Sequence, residues 1–156
     1  MSTSFYDDVQ VLRATYPDSR SAVLPALQLA QTRHGGWLPE EAFREVGEAL
    51  ELTPAYCYGV ASFYDMFRLE PIGRCCVEVC TNVSCAVNGA QAVVDAFASE
   101  LGIHAGETTD DGEFTLRTVE CLGGCGWATV VAVNNRHRLR VQAEDVPGIV
   151  EELRRG

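Results

Sequence analysis

The sequence predicts an α+β chain, with an N-terminal helical bundle over residues 1–72 followed by an α/β sandwich domain over residues 73–156. Two changes along the chain carry this reading. Apolar residues recur at helical spacing up to Phe67, and from Cys75 onward short runs of β-formers take over. One strongly amphipathic helix, marked by Ala90, Val93, Val94, Phe97 and Leu101, lies between the first two of those runs. The chain has 156 residues, 47% hydrophobic and 22% charged, which suits a folded domain with one core and a small helical attachment.

The first part reads as three to four short helices. Tyr16-Pro-Asp-Ser19 interrupts an early one. Val23, Leu24, Leu27 and Ala30 then fall at helical spacing and stop at Gly35-Gly36. Pro39 suits a first turn, and Phe43, Val46 and Leu50 follow it along one face. Thr53-Pro54 is an N-cap followed by proline at the first helical position. Beyond it, Ala55, Gly59, Phe63 and Phe67 line one face, and Tyr58, Phe63, Tyr64, Met66 and Phe67 are read as bundle core in preference to a partner-binding face.

In the second part, Cys75–Val79 is a strand bounded by Gly73. The Ala90–Leu101 helix is expected to be capped by Asn88 and ended by Gly102. After a turn at 108–112, Phe114–Glu120 forms the next strand and leads into Cys121. Thr129–Val133 is a buried strand, Asn134-Asn135 a tight hairpin, and Leu139 and Val141 alternate with Arg138 and Arg140 in the return strand. Val146, Ile149, Val150 and Leu153 make a closing helix. This order of strand, helix, hairpin and helix is that of a thioredoxin-like sandwich.

The chemistry concentrates in two loops, Cys80-Thr-Asn-Val-Ser-Cys85 and Cys121-Leu-Gly-Gly-Cys125, each of which follows a strand. Four thiolates form a soft site suited to iron–sulfur or zinc. Zinc ribbons favour two-residue gaps within each pair, whereas gaps of four and three residues suit loops that wrap a larger object such as a [2Fe–2S] rhomb. Structural zinc and plain thiols stay open as alternatives on spacing alone. Gly123, Gly124 and Gly126 let backbone N–H groups approach sulfur closely, which stabilises the charge of a reduced cluster. Cys57, in a helix, and Cys75 and Cys76, in a strand, read as small buried hydrophobes. No Cys-x-x-Cys occurs, which argues against thiol–disulfide exchange chemistry.

The net charge of −10, from 12 basic and 22 acidic residues, argues against a nucleic-acid or anionic-membrane binder. No apolar run reaches the length of a membrane span, and the N-terminus lacks the pattern of a secretory leader. An odd cysteine count of seven with no disulfide-framework spacing fits a reducing, cytoplasmic setting. Arg136-His-Arg138 and Arg140 form the one basic cluster, read as a solvated hairpin with contact to an acidic partner as the alternative. Trp127 is read either as a shield for the neighbouring cysteine loop or as a core or interface aromatic. The glycines at 123–126 do not open a long helix, so they do not read as a phosphate-binding loop.

Leu27-Gln-Leu-Ala-Gln31, Tyr58-Gly-Val-Ala-Ser-Phe-Tyr64, Val79-Cys-Thr-Asn-Val-Ser-Cys85 and Val119-Glu-Cys-Leu-Gly-Gly-Cys125 occur in that order. Together they resemble the small thioredoxin-like [2Fe–2S] subunit of NADH-dehydrogenase modules, found in respiratory complex I, NAD-linked hydrogenases and formate dehydrogenases. The resemblance implies that Cys80, Cys85, Cys121 and Cys125 ligate one [2Fe–2S] cluster and that the chain has no catalytic residue of its own. It implies an electron-transfer subunit of a multi-subunit NADH oxidoreductase, with the complex I type favoured over the hydrogenase and formate dehydrogenase types. The expected partner is a larger flavoprotein that carries FMN and the NADH site. This chain alone is expected to bind neither cofactor and to oxidise no NADH, and to reach the inner membrane only through the complex. A zinc-stapled interaction module is the remaining alternative. One departure stands out: members usually have an Ala-Pro pair after the last ligand, and this chain has Ala128-Thr129.

Overall fold

Four helices build the first part of the computed structural model, which describes residues 4–156 and leaves Met1-Ser-Thr3 outside the described residues. They are α1 (Phe5–Arg13), α2 (Val23–Arg33), α3 (Glu40–Leu50) and α4 (Pro54–Phe63), with a 3₁₀ turn at Ser19–Ala22 before α2. Side-chain caps set the starts of α1, the 3₁₀ turn and α4. The Ser4 hydroxyl accepts from the Asp7 N–H at 3.3 Å, the Asp18 carboxylate from the Arg20 N–H at 2.7 Å, and the Thr53 hydroxyl from the Tyr56 N–H at 3.2 Å. The inward faces of the helices meet in a core that includes Val9, Leu27, Phe43, Val46, Leu50, Cys57 and Ala61. Gly47 is needed there, because a Cβ would lie 2.8 Å from the Leu52 carbonyl oxygen where the chain folds back over α3. Gln31 then secures the segment after α4, donating to the Met66 carbonyl at 3.1 Å and accepting from the Arg68 N–H at 2.8 Å.

The large apolar residues of α4 and of the segment after it correct the sequence reading. Phe67 is buried, but Phe63 is 80% exposed, and Tyr58, Tyr64 and Met66 are 50%, 39% and 49% exposed. The row Ala55, Gly59, Phe63 faces outward, and the buried residues of the helix are Cys57 and Ala61. Periodicity misassigned the face because α4 is apolar all round. Small residues at the inner positions let the helix come close to α2 and α3, and the bulky side chains are left outside.

A four-stranded mixed sheet organises the second part, in the order β2-β1-β3-β4. The strands are β1 (Cys75–Cys80), β2 (Phe114–Val119), β3 (Val131–Val133) and β4 (Arg136–Arg138). β1 runs parallel to β2, from Cys75↔Phe114 to Cys80↔Val119, and antiparallel to β3. Parallel neighbours need a crossover, and here it consists of α5 (Val83–Val87) and α6 (Ala90–Leu101). The closing helix is α7 (Val146–Arg155). Cys75, Val77 and Val79 of β1 pack with Phe114 and Leu116 of β2, Val93 and Phe97 of α6, and Val146 and Val150 of α7. The chain divides into two units, one extending to Pro71 and the other spanning Ile72–Gly156.

Three local expectations shift. The N-cap of α6 is Gly89 at φ 89°, and Asn88 closes the short helix α5 instead. β3 begins at Val131 rather than Thr129. β4 ends at Arg138, short of the alternation expected through Val141, because Arg140 adopts φ 57° and turns its N–H to the Trp127 carbonyl at 2.9 Å. The hairpin itself forms at Asn134-Asn135, both with positive φ. Asn134 also accepts from the Cys76 N–H at 2.8 Å and donates to the Arg74 carbonyl at 2.9 Å, which fastens the turn to β1.

Candidate metal centre

Because β1 and β2 are parallel neighbours, their C-terminal ends lie side by side, and both cysteine loops leave the sheet at that end. Cys80 is the last residue of β1, and Cys121 follows β2 by one residue, Glu120. Backbone bonds fix the exit, from the Cys80 N–H to the Val130 carbonyl at 3.0 Å and from the Thr81 N–H to the Val119 carbonyl at 3.0 Å. The Cys80 thiol lies 3.7 Å from the Glu120 carbonyl oxygen.

The first loop folds into α5, which carries Cys85 to a buried position. Cys80, Cys85, Ala90 and Val130 form a small apolar cluster, with Leu122 and Ala128 packed against it. Burial pushes the Cys85 thiol above its ordinary pKa. The Val130 N–H opposes this, and the neighbouring Cys80 and Cys125 push it further up. A coordinated metal ion inverts that logic, since a ligating thiol is deprotonated outright.

The second loop leaves Cys121 and Cys125 exposed. Gly123, at φ 74°, points its N–H at the Cys121 sulfur, 3.3 Å away. Such N–H···S contacts stabilise thiolate charge, as expected of this glycine-rich loop. Gly124 has a different reason: a Cβ there would lie 2.9 Å from Val130 Cγ2, so the absence of a side chain lets the loop pack on the apolar cluster. Cys125–Trp127 make one 3₁₀ turn, so this loop opens no helix long enough to bind phosphate. Trp127 is 52% exposed, which removes it from the core. The Ala128–Thr129 peptide is cis, and Thr129 is fully buried.

Cys80, Cys85, Cys121 and Cys125 are free thiols. The structure brings Cys80 and Cys85 together, with Cys125 within electrostatic reach of Cys85, and sets Cys121 on the loop that follows the adjacent strand. Among the described residues, no three His, Cys, Asp or Glu side chains are arranged around a single metal ion. The donor set nevertheless fits an iron–sulfur cluster: four soft thiols on two adjacent loops, an N–H aimed at one sulfur and an apolar floor under two others. Cys57, in α4, and Cys75 and Cys76, at the start of β1, are buried, and burial raises the pKa of Cys57 and Cys75.

The other end of β1 holds a cleft of about 700 Å³ lined by Arg74, Asn134, Arg136, His137, Arg138 and Glu152, among others. Two of its arginines are already neutralised, Arg138 by Glu152 at 2.6 Å and Arg74 by Glu113 at 2.8 Å. The basic hairpin is thus partly paired within its own unit. No helix among the described residues is long and apolar enough to cross a membrane.

Sequence reasoning missed α5 and the polar bonds that join the two loops. The Asn82 side chain, which accepts from the Val83 N–H at 2.9 Å, was the available signal for that helix.

Residues 9–154 match the family model described as thioredoxin-like [2Fe-2S] ferredoxin. The chain is 41% identical over 148 residues to an NADH-quinone oxidoreductase subunit of Rhizobium meliloti (strain 1021), covering 95% of this chain and 88% of that protein. It is 38% identical over 160 residues to an NADH-quinone oxidoreductase subunit of Rickettsia felis, covering 97% and 96% of the two chains. Among solved structures, a chain of an air-oxidised NAD+-reducing [NiFe]-hydrogenase superposes with a TM-score of 0.75 at 23% identity. That match covers 85% of this chain but only 23% of the hydrogenase chain, and it bears on the fold alone. With a family model spanning nearly all of its length, this chain belongs to the thioredoxin-like [2Fe-2S] ferredoxin family.

Proposed function

We propose that this chain is an electron-transfer subunit of an NADH:quinone oxidoreductase, with one [2Fe–2S] cluster held by Cys80, Cys85, Cys121 and Cys125. The observation that carries the reading is the parallel pairing of β1 with β2, which delivers two loops of free thiols to one end of the sheet. Relatives that match nearly end to end are themselves NADH-quinone oxidoreductase subunits. When bound, such a cluster supplies storage of a single electron.

The chain's own residues set the conditions for that storage. Val130, Leu122 and Ala128 exclude water from the side of Cys80 and Cys85. The Gly123 N–H offsets negative charge at Cys121, while the net charge of −10 opposes reduction and favours a low potential. Exposed Cys121 and Cys125 give electrons a short way in and out. The expected partner is a larger flavoprotein subunit that binds FMN and NADH. The exposed aromatic face of α4 supports a life in a complex, because Phe63, Tyr58 and Tyr64 are apolar surface of a kind that partners cover.

The test is reduction by NADH followed in the visible band of the purified chain. NADH alone should leave the band unchanged, and a catalytic amount of the flavoprotein should bleach it. A colourless chain that holds stoichiometric zinc and stays inert with the flavoprotein would favour the zinc-stapled module.

A further inference from the structure

Three hydrogen bonds close a ring that runs through the segments of both cysteine loops. The Ser84 hydroxyl donates to the Cys125 carbonyl at 2.9 Å. The Asn88 side-chain amide donates to the Ser84 carbonyl at 2.7 Å. The Thr129 hydroxyl donates to the Asn88 carbonyl at 3.2 Å. The backbone from Cys125 to Thr129 completes the circuit. Two of these bonds cross from one loop segment to the other, and in both the donor is a hydroxyl. Neither serine nor threonine here offers a soft ligand, so their part is geometric.

We propose that Ser84 and Thr129 are positioning residues that clasp the two loops at one spacing, before and after the cluster is bound. The second half of that statement rests on the cluster reading above, and the first half does not. The second loop needs such a clasp because Gly123, Gly124 and Gly126 give its backbone wide freedom, which would otherwise have to be frozen out when the thiols take up a metal. The two crossing bonds restrain it on its C-terminal side. Ser84 holds the carbonyl of Cys125 itself, and Thr129, fully buried, holds the segment that returns to β3. Water can replace the first bond at its half-exposed site but has no access to the second hydroxyl. Ser84 also adjoins Cys85, so one residue ties a buried ligand position to an exposed one.

The experiment uses the full chain with Ser84→Ala and Thr129→Val, alongside the hydroxyl-retaining Ser84→Thr and Thr129→Ser. The first readout is amide hydrogen exchange over residues 121–130 in the cluster-free protein. Thr129→Val should exchange about fivefold faster at Gly123 and Trp127, the factor that corresponds to one ordinary hydrogen bond of about 1 kcal/mol, and Ser84→Ala, whose bond water can replace, should exchange faster by a smaller factor. The hydroxyl-retaining variants should stay near the parent. The second readout is the loaded chain: iron loss to a chelator should quicken by a similar factor, and the line shape of the reduced-state paramagnetic resonance signal should change. Val93→Ala, a core variant of α6, should lower thermal stability and leave that line shape as it is. Parent-like exchange in both hydroxyl-free variants would overturn the clasp, as would equally fast exchange in the hydroxyl-retaining ones. A parent chain that takes up no iron and sulfide would overturn the cluster reading instead, and exchange alone would then decide the clasp.

Discussion

The two units use the same kinds of residue in opposite senses. In α4 of the helical unit the cysteine is hidden and the aromatics are out: Cys57 is fully buried, while Phe63 is 80% exposed. In the sheet unit both phenylalanines are in and two cysteines are out: Phe97 and Phe114 are buried, whereas Cys121 and Cys125 are exposed. The lesson is that residue type alone does not locate the chemistry. A thiol reads as a ligand when a strand end delivers it to a loop beside other thiols, and as a small hydrophobe when a helix turns it inward.

The sharpest way to break that contrast is to remove one thiol from each side. Cys85→Ala or Cys121→Ala should abolish cluster binding, and Cys57→Ala should keep the full iron and sulfide content, both measured on purified protein. Retention of a native-like cluster in either loop variant would undo the ligand assignment, and loss of it in Cys57→Ala would show that the helical cysteine is not inert. Next in size is a cavity in the helical core. Leu27 is fully buried, so Leu27→Ala should cost about 2–5 kcal/mol in denaturant unfolding while the visible spectrum of the folded protein stays the same.

A smaller effect on stability is expected at the exposed aromatics. Phe63→Ala should change stability by no more than about 0.5 kcal/mol, the usual range for surface sites, and should weaken association with the flavoprotein in a titration. A loss of several kcal/mol would mean that this side chain is core after all. The smallest expected effect is electrostatic and belongs to the sheet unit. The Thr109 hydroxyl and the Glu113 N–H hold the Asp111 carboxyl below its ordinary pKa, and Arg138 does the same for Glu152. A carboxylate with a lowered folded pKa stabilises the fold above its unfolded value, and the gain fades as pH falls through the folded one. Thermal stability should therefore decline from the ordinary carboxylate range downward, and Asp111→Asn should flatten part of that slope. An unchanged slope would remove Asp111 from the acid response.

Much of this was legible in the sequence, and the gaps have physical causes. β1 and β2 could be read because Cys75–Val79 and Phe114–Val119 are short runs of β-formers between turn signals, and the thiol loops follow directly from where those strands end. α3 and α6 could be read because their apolar residues keep to one face. α4 is apolar on every side, so its period could not say which side was inward. At five residues, α5 is too short to display a period. The end of β4 depends on a positive φ at Arg140, a residue type that gives no warning of it. The Ser84–Cys125 bond joins residues far apart in sequence and could be seen only once the sheet had set the loops side by side.

The most direct test of the central claim is paramagnetic resonance of the dithionite-reduced protein, with iron and acid-labile sulfide counted on the same sample. A cluster on Cys80, Cys85, Cys121 and Cys125 predicts a rhombic spin-one-half signal and two irons with two sulfides per chain. A silent sample that contains no iron or sulfide after anaerobic reconstitution, and binds zinc instead, would contradict it.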